Sequence, residues 1–351
     1  MKSWRQYVKK VVPYVPGEQP NEDGMIKLNT NENPYPPSPG VKKVLSEMDV
    51  DKLRLYPDPK ISLLVNGLAK YHNVDKEQVF VGVGSDDVLA MAFMTFFNSD
   101  KPILYPDITY SFYPVWCELF DVAYENPELT EDFHIVKEDY YKENGGIIIA
   151  NPNAPTSIYE ELSFIEDIVK ANRESVVIID EAYIDFAGPS AIELVDKYDN
   201  LLVVQTFSKS RSLAGMRIGY AIGHPDLIKA LNDVKYSFNS YTLNQTAILS
   251  GLAALEDKEY FNDNIDKILK TRVRLVGELE ELGFTLPQSG TNFVFARHDK
   301  VAAERIYQAL RERKIYVRYF DLPRIDNYIR ITVGTDEEID SLLEVLKEII
   351  N

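Results

Sequence analysis

Short, wholly apolar runs alternate with amphipathic stretches through the first two thirds of the chain. QVFVGVG (78–84), PILYP (102–106), GGIIIANPN (145–153), SVVIIDEAY (175–183), NLLVVQTFS (200–208) and MRIGYAIG (216–223) predict buried strands. DDVLAMAFMTFF (86–97), a segment near Tyr110 to Phe120 and IYEELSFIEDIVKANR (158–173) predict the helices between them. Strands that are apolar on both faces, joined through helices, imply βαβ units and a mostly parallel central sheet, an α/β fold. After about Tyr236 the texture changes. Long helical stretches run from Asn244 to Leu282, followed by NFVFARH (strand), VAAERIYQALRERK (helix), IYVRYF and YIRITVG (strands) and the closing helix DEEIDSLLEVLKEII. That pattern predicts a smaller α+β unit. The first 35 residues are rich in Pro, Asn and Tyr, cannot hold regular structure for long, and predict an arm that packs on the body.

At 351 residues the chain exceeds what one core usually covers, so two domains are expected. The divisions are an arm over 1–35, a large domain over 36–235 and a small domain over 236–351. The chain has 38 Lys and Arg against 55 Asp and Glu, a net charge of -17, which opposes nucleic-acid binding. A local Arg cluster can still hold a small anion against that sign. One cysteine, Cys117, excludes an internal disulfide and suits a cytoplasmic protein, with buried packing its expected role. No stretch approaches the ~18 apolar residues of a membrane span. The four histidines lie far apart and never at zinc-motif spacing, so no metal is expected.

Two segments carry the chemistry. In VVIIDEAY a strand ends at Asp180, at the carboxyl edge where open α/β sheets hold ligands. In QTFSKSRSLAGMRIGY a strand ends in Thr206-Phe207-Ser208-Lys209, with Arg217 eight residues later. A lysine beside two hydroxyls and upstream of an arginine is what a phosphate-bearing carbonyl cofactor requires: an amine for a Schiff base and donors for a dianion. A strand-end Asp can pair with a protonated pyridine nitrogen, which points to pyridoxal 5'-phosphate (PLP). Upstream, GVGSDD (82–87) lacks the third glycine of a dinucleotide motif, but its Gly-Ser turn opens a helix whose amides can take a phosphate.

With these segments in place, the chain resembles the fold-type-I PLP-dependent aminotransferases, and within them the histidinol-phosphate branch. The motifs are KLNTNENPY, RLYPDP, VGVGSDDVL, PDITYSFY, NPNAPTS, VVIIDEAYIDF, TFSKSRSLAGMRIGY, NFVF, IYVR and YIRITVGT. The resemblance implies Lys209 as the Schiff-base lysine, Asp180 at the pyridine nitrogen, Tyr183 near the cofactor's phenolic oxygen and Tyr110 stacked on the ring. It places Ser85, Asp86, Thr206, Ser208 and Arg217 around the cofactor phosphate, and Tyr56 at the phosphate of a neighbouring subunit, hence a homodimer with shared sites. Arg330 would hold the amino-acid carboxylate in a bidentate fork, with Arg318 and Tyr14 near the substrate phosphate.

One departure stands out. The family commonly reads N-P-x-N-P-T-G, its second Asn bonding the phenolic oxygen. Here Ala154 takes that place and Ser157 replaces the glycine. That hydrogen bond is therefore either lost or supplied by Asn153 or Asn151 after a backbone adjustment, with Asn153 the favoured substitute. The implied reaction interconverts histidinol phosphate plus 2-oxoglutarate with imidazole acetol phosphate plus glutamate, in histidine biosynthesis. The rivals are a PLP-dependent threonine-phosphate decarboxylase and a broad or aromatic amino-acid aminotransferase. A regulator with an aminotransferase-like domain would need a DNA-binding module, which the length and the -17 charge disfavour.

Overall fold

A seven-stranded sheet organises the larger part of the molecule. The computed structural model describes residues 3–350. The first strand, β1 (Ile26–Lys27), belongs to the arm; the central sheet comprises β2 (Val79–Gly82), β3 (Ile103–Leu104), β4 (Tyr124–Glu125), β5 (Gly146–Ala150), β6 (Val177–Asp180), β7 (Leu201–Thr206) and β8 (Gly219–Gly223). Their order is β2-β8-β7-β6-β5-β3-β4. Strand β8 runs antiparallel to both neighbours, and the other pairings are parallel, so the sheet is mostly parallel as expected. Strands β5 to β8 are buried at every position, which explains their continuous apolar sequence.

Helices α1 (Pro39–Glu47), α2 (Ser62–His72), α3 (Ser85–Phe96), α4 (Tyr113–Phe120), α5 (Leu162–Ala171), α6 (Pro225–Phe238) and α7 (Gln245–Glu256) clothe this sheet. Helices α1, α2 and α6 lie in stretches that no short apolar run marks. Helix α5 is shorter than its sequence pattern at both ends, because 158–161 stay outside it and it stops at Ala171. Cys117 is buried in α4 and burial pushes its thiol up to about 12, an inert packing residue.

The second unit holds the long α8 (Lys258–Glu281), strands β9 (Phe284–Thr285) and β10 (Phe293–His298), α9 (Ala303–Glu312), β11 (Ile315–Tyr316), β12 (Arg318–Tyr319), β13 (Ile329–Thr332) and α10 (Asp336–Ile350). IYVRYF divides: β11 pairs with β1 of the arm, while β12 pairs with β13 in the sheet β12-β13-β10-β9. The cores do not divide at residue 236. Leu243, Ala247, Ile248 and Leu255 pack with Leu64 and Val81 of the large unit, and the small core gathers from Ile265 onward with Leu28 of the arm. Among the described residues no helix is long and apolar enough to cross a membrane, and no cluster of His, Cys, Asp or Glu could hold a metal.

Candidate active site

The carboxyl edge of the central sheet collects the chemistry. Asp180 ends β6 beside Val204 of β7, and Gly219 pairs with both Thr206 and Gly82. Asp180 accepts from the Tyr113 hydroxyl at 2.8 Å and the Ala182 amide at 3.3 Å. Burial pushes its carboxyl up to about 6, against the Tyr113 bond, which acts to lower it. A cation placed against Asp180 would restore the ionised form.

A phosphate cup lies next to it. Gly84, at φ +86°, precedes α3, and no side chain caps the helix start. A side chain at Gly84 would collide with the Arg217 guanidinium, and one at Gly219 with the Gly84–Ser85 backbone. Both glycines are therefore needed for the cup to close. Thr206 and Ser208 are buried, their hydroxyls 2.9 Å apart. Arg217 lies 3.6 Å from Asp86, whose other carboxylate oxygen accepts from Tyr110 at 2.9 Å. The Asp86 side chain thus orients Tyr110 and Arg217, and only its backbone amide suits an anion.

The arm completes the lysine's surroundings. Lys209 Nζ donates to the Thr30 carbonyl at 3.1 Å and sits 5.7 Å from the centre of the Tyr183 ring. The Tyr183 hydroxyl accepts from Asn31 Nδ2 at 2.9 Å. Asn31, at φ +58°, is itself held by the Thr332 hydroxyl and by Asn292 Nδ2, which donates to its carbonyl. Asn33 Nδ2 donates to the carbonyls of Lys209 and Ser210. Tyr113, Asn31, Asn33 and Asn292 were not singled out from the sequence. The two arm asparagines, Asn31 and Asn33, had one available signal: clustered amides in a segment with little helix or strand to satisfy.

Asn153 is engaged elsewhere. Its Nδ2 donates to the Ile108 carbonyl and the Thr156 hydroxyl, both at 2.9 Å, and its Oδ1 accepts from Thr109 at 2.7 Å. Asn151 is likewise occupied with Glu160. Asn153 thus spends both amide hydrogens and Asn151 one of its two, away from the contact expected at Ala154, which packs in the same apolar cluster as Tyr183.

At the far end, Arg318 and Arg330 are direct partners across the antiparallel pair β12–β13. Arg330 donates to the Asn29 carbonyl at 2.9 Å, and its buried Nε has no partner among the described residues. Burial and the neighbouring Arg318 both lower its pKa. Tyr14 joins them. Its ring stacks on Phe112 at 4.5 Å, and both arginines act on its hydroxyl, which burial nevertheless pushes up. Like charges opposed across a ladder are destabilising, so this pair is built for an anion.

Tyr56 stands apart from these groups. It is 81% exposed on the surface loop 55–60, its ring 4.6 Å from Tyr241. A cavity of about 870 Å³ also lies elsewhere, against Arg272, Arg297 and Tyr328, and shares no residue with the groups above.

The groups at the sheet edge fit pyridoxal 5'-phosphate. The uncapped helix start and its glycine cradle suit the phosphate, the buried Asp180 suits a protonated ring nitrogen, and among the described residues the Lys209 amine donates to a backbone carbonyl and has no carboxylate partner. The family described as aminotransferase class I and II matches residues 23–346. Histidinol-phosphate aminotransferase 1 of Hydrogenovibrio crunogenus is 56% identical over 347 residues, 99% of this chain and 98% of that protein. The histidinol-phosphate aminotransferase of Clostridium beijerinckii is 51% identical over 350 residues, 100% of this chain and 98% of that one. The crystal structure of the Sinorhizobium meliloti histidinol-phosphate aminotransferase in complex with pyridoxal-5'-phosphate has the same fold. Its TM-score is 0.86 at 23% identity, with 93% of this chain and 90% of that chain covered. Near-complete coverage at such identity, on a chain that sets its aspartate and lysine at the carboxyl edge of the central sheet and pairs two arginines on the small sheet, makes it a member of the class I and II aminotransferases, in their histidinol-phosphate aminotransferase branch.

Proposed function

We propose that the protein transfers the amino group between histidinol phosphate and 2-oxoglutarate, giving imidazole acetol phosphate and glutamate, with PLP as cofactor. The observation that carries this is the opposed pair Arg318 and Arg330, with Tyr14 beside them. A phosphate ester and a dicarboxylate must use one pocket in turn, and two guanidiniums with no carboxylate partner among the described residues serve both.

PLP, when bound, supplies an electron sink for the pair released at the substrate's Cα. Lys209 would take the proton from that carbon and return it to the carbon on the far side of the nitrogen, and its freedom to do so comes from a weak tether to the Thr30 carbonyl. Asp180, ionised by the positive ring nitrogen, keeps that nitrogen protonated, and Tyr113 fixes the carboxylate's direction. Because Tyr183 accepts from Asn31, its own hydroxyl proton is free to point at the cofactor's phenolic oxygen. Ser85 and Asp86 amides, Thr206, Ser208 and Arg217 hold the phosphate, and Tyr110 covers the ring.

The working form is a homodimer in the cytoplasm. Leu53, Leu55, Tyr56, Phe238 and Tyr241 are exposed on the single chain, an apolar surface suited to a second copy. Tyr56 then completes the phosphate cup of the other subunit.

The test is direct. The purified protein should consume histidinol phosphate only when 2-oxoglutarate is present, and should act poorly on unphosphorylated amino acids. Carbon dioxide release from threonine phosphate without a keto acid would reject the proposal, as would indifference to the substrate phosphate.

A further inference from the structure

Lys235, on α6, is only 2% exposed, yet it forms no ion pair among the described residues. Lysines are almost never fully buried unless paired, so the position calls for a cause. Its ammonium donates to the Pro59 carbonyl at 2.8 Å, and the neighbouring Tyr236 hydroxyl donates to the same oxygen at 3.2 Å. Pro59 closes the loop that carries Tyr56. Asp58 stiffens that loop by accepting from the amides of Lys60 and Ser62 at 3.0 and 2.9 Å. On the other side, the Tyr56 ring rests on Tyr241, just past the end of α6. Tyr56 is therefore held between two anchors that both belong to α6 and its exit, and Lys235 is the buried one.

A second charge complicates the picture. Besides Asp58, Asp87 acts on the Lys235 ammonium, and Asp87 accepts from the Val83 amide at 2.8 Å in the chain's own phosphate turn. Lys235 could thus serve the site of its own subunit or that of the other. The hydrogen bond goes to the Tyr56 loop, while the link to Asp87 is through space only.

We propose that Lys235 is a positioning residue acting across the subunit interface: it fixes the loop from which Tyr56 reaches the other subunit's cofactor phosphate. This rests on the shared-site dimer proposed above, and the experiment separates the two.

Differently tagged chains give two mixed dimers. In one, Lys235→Met and Lys209→Ala are on opposite chains; in the other, both are on the same chain. Only a site that keeps Lys209 can fix PLP on borohydride reduction, so the fixed cofactor reports PLP affinity at the one lysine-bearing site, independent of turnover. With the changes on opposite chains, that site receives an undisturbed Tyr56 loop and should match wild type. With both on the same chain, it receives the loosened loop and should bind PLP roughly tenfold more weakly. Lys235→Arg should restore most of the affinity. The reverse pattern, equal losses in both dimers or no loss in either would overturn the proposal. Tyr56→Phe in place of Lys235→Met tests the dimer separately. If Tyr56→Phe shows no same-chain loss, the shared-site dimer fails and takes the Lys235 role with it. If it does and Lys235→Met does not, only the Lys235 role fails. Should Lys235→Met not fold, Tyr236→Phe removes the second donor from an exposed side chain, and the same pattern is expected at smaller amplitude.

Discussion

Asn31 and Tyr183, 152 residues apart, meet in a 2.9 Å hydrogen bond in which the amide donates and the hydroxyl accepts. The direction matters, because a phenol that accepts from a fixed donor has its own proton to give elsewhere. With Ala154 offering no side-chain donor beside it, Tyr183 depends on Asn31 for its aim. Asn31→Ala should weaken PLP binding by about 1 kcal/mol, the usual worth of one such bond. Ala154→Asn in the Asn31→Ala background should recover the loss. Equilibrium dialysis measures both, and unchanged affinity in Asn31→Ala would remove the residue from the site.

Lys209→Ala should abolish turnover while PLP still binds non-covalently in the phosphate cup. Borohydride reduction and peptide mapping of the wild-type enzyme should label Lys209 alone. Label on another lysine would end the assignment.

The two arginines should part company by substrate. Removing a charged donor from a buried anion costs about 2–5 kcal/mol, roughly 30-fold or more in kcat/KM. Arg318→Ala should carry that loss with histidinol phosphate and much less with unphosphorylated amines. Arg330→Ala should damage the glutamate half-reaction most, because its fork suits a carboxylate. Half-reactions followed separately by absorbance show the contrast, and an equal loss for all amines in Arg318→Ala would contradict it.

Asp180 should make the cofactor-free protein pH-sensitive. Its carboxyl rises from an ordinary value of 3.8 to about 6 on folding, with burial the main cause. A raised pKa gives stability that is complete below the unfolded value and is lost as pH rises through the folded one. Ionised Asp180 therefore strains the apoprotein near pH 8. Asp180→Asn should stabilise it there by up to about 3 kcal/mol, and the gain should shrink as pH falls through 6 toward 4. Denaturant titrations of apoprotein at several pH values test this, and a gain independent of pH would refute it. The same variant should lose most activity, since a neutral amide cannot hold the ring nitrogen protonated.

Ser157 occupies a glycine's backbone, at φ +69°, and its buried hydroxyl has no partner among the described residues. Ser157→Gly removes both costs and should stabilise the fold by roughly 1–3 kcal/mol with little change in kcat. Lower stability on urea unfolding would show that the backbone prefers the serine.

The strands at the sheet edge were legible because apolar runs leave no choice of face, and Asp180, Thr206 and Lys209 fall where those runs stop. Less legible was what comes from pairing at a distance. IYVRYF reads as one strand, yet Tyr316 serves the arm and Arg318 the small sheet, because different partners capture each half. Helix α6 has Lys235 on its buried side, and an inward-facing charge weakens the apolar stripe that would announce a helix. Asn153 looked free because nothing in NPNAPTS reveals that Ile108 and Thr156 claim its amide.

The stitch between Asn31, Thr332 and Asn292 joins positions 301 and 261 residues apart. Contacts of that span close late, because a long loop must be ordered before they reward it. A growing chain will therefore have made its lysine strand, its buried aspartate and its phosphate turn well before the arm can find the strand that locks Asn31. Until then the Tyr183 hydroxyl lacks its donor and the lysine its roof. Tight cofactor retention should thus appear as one of the last events of folding, which makes PLP uptake a clock for the maturation of this enzyme.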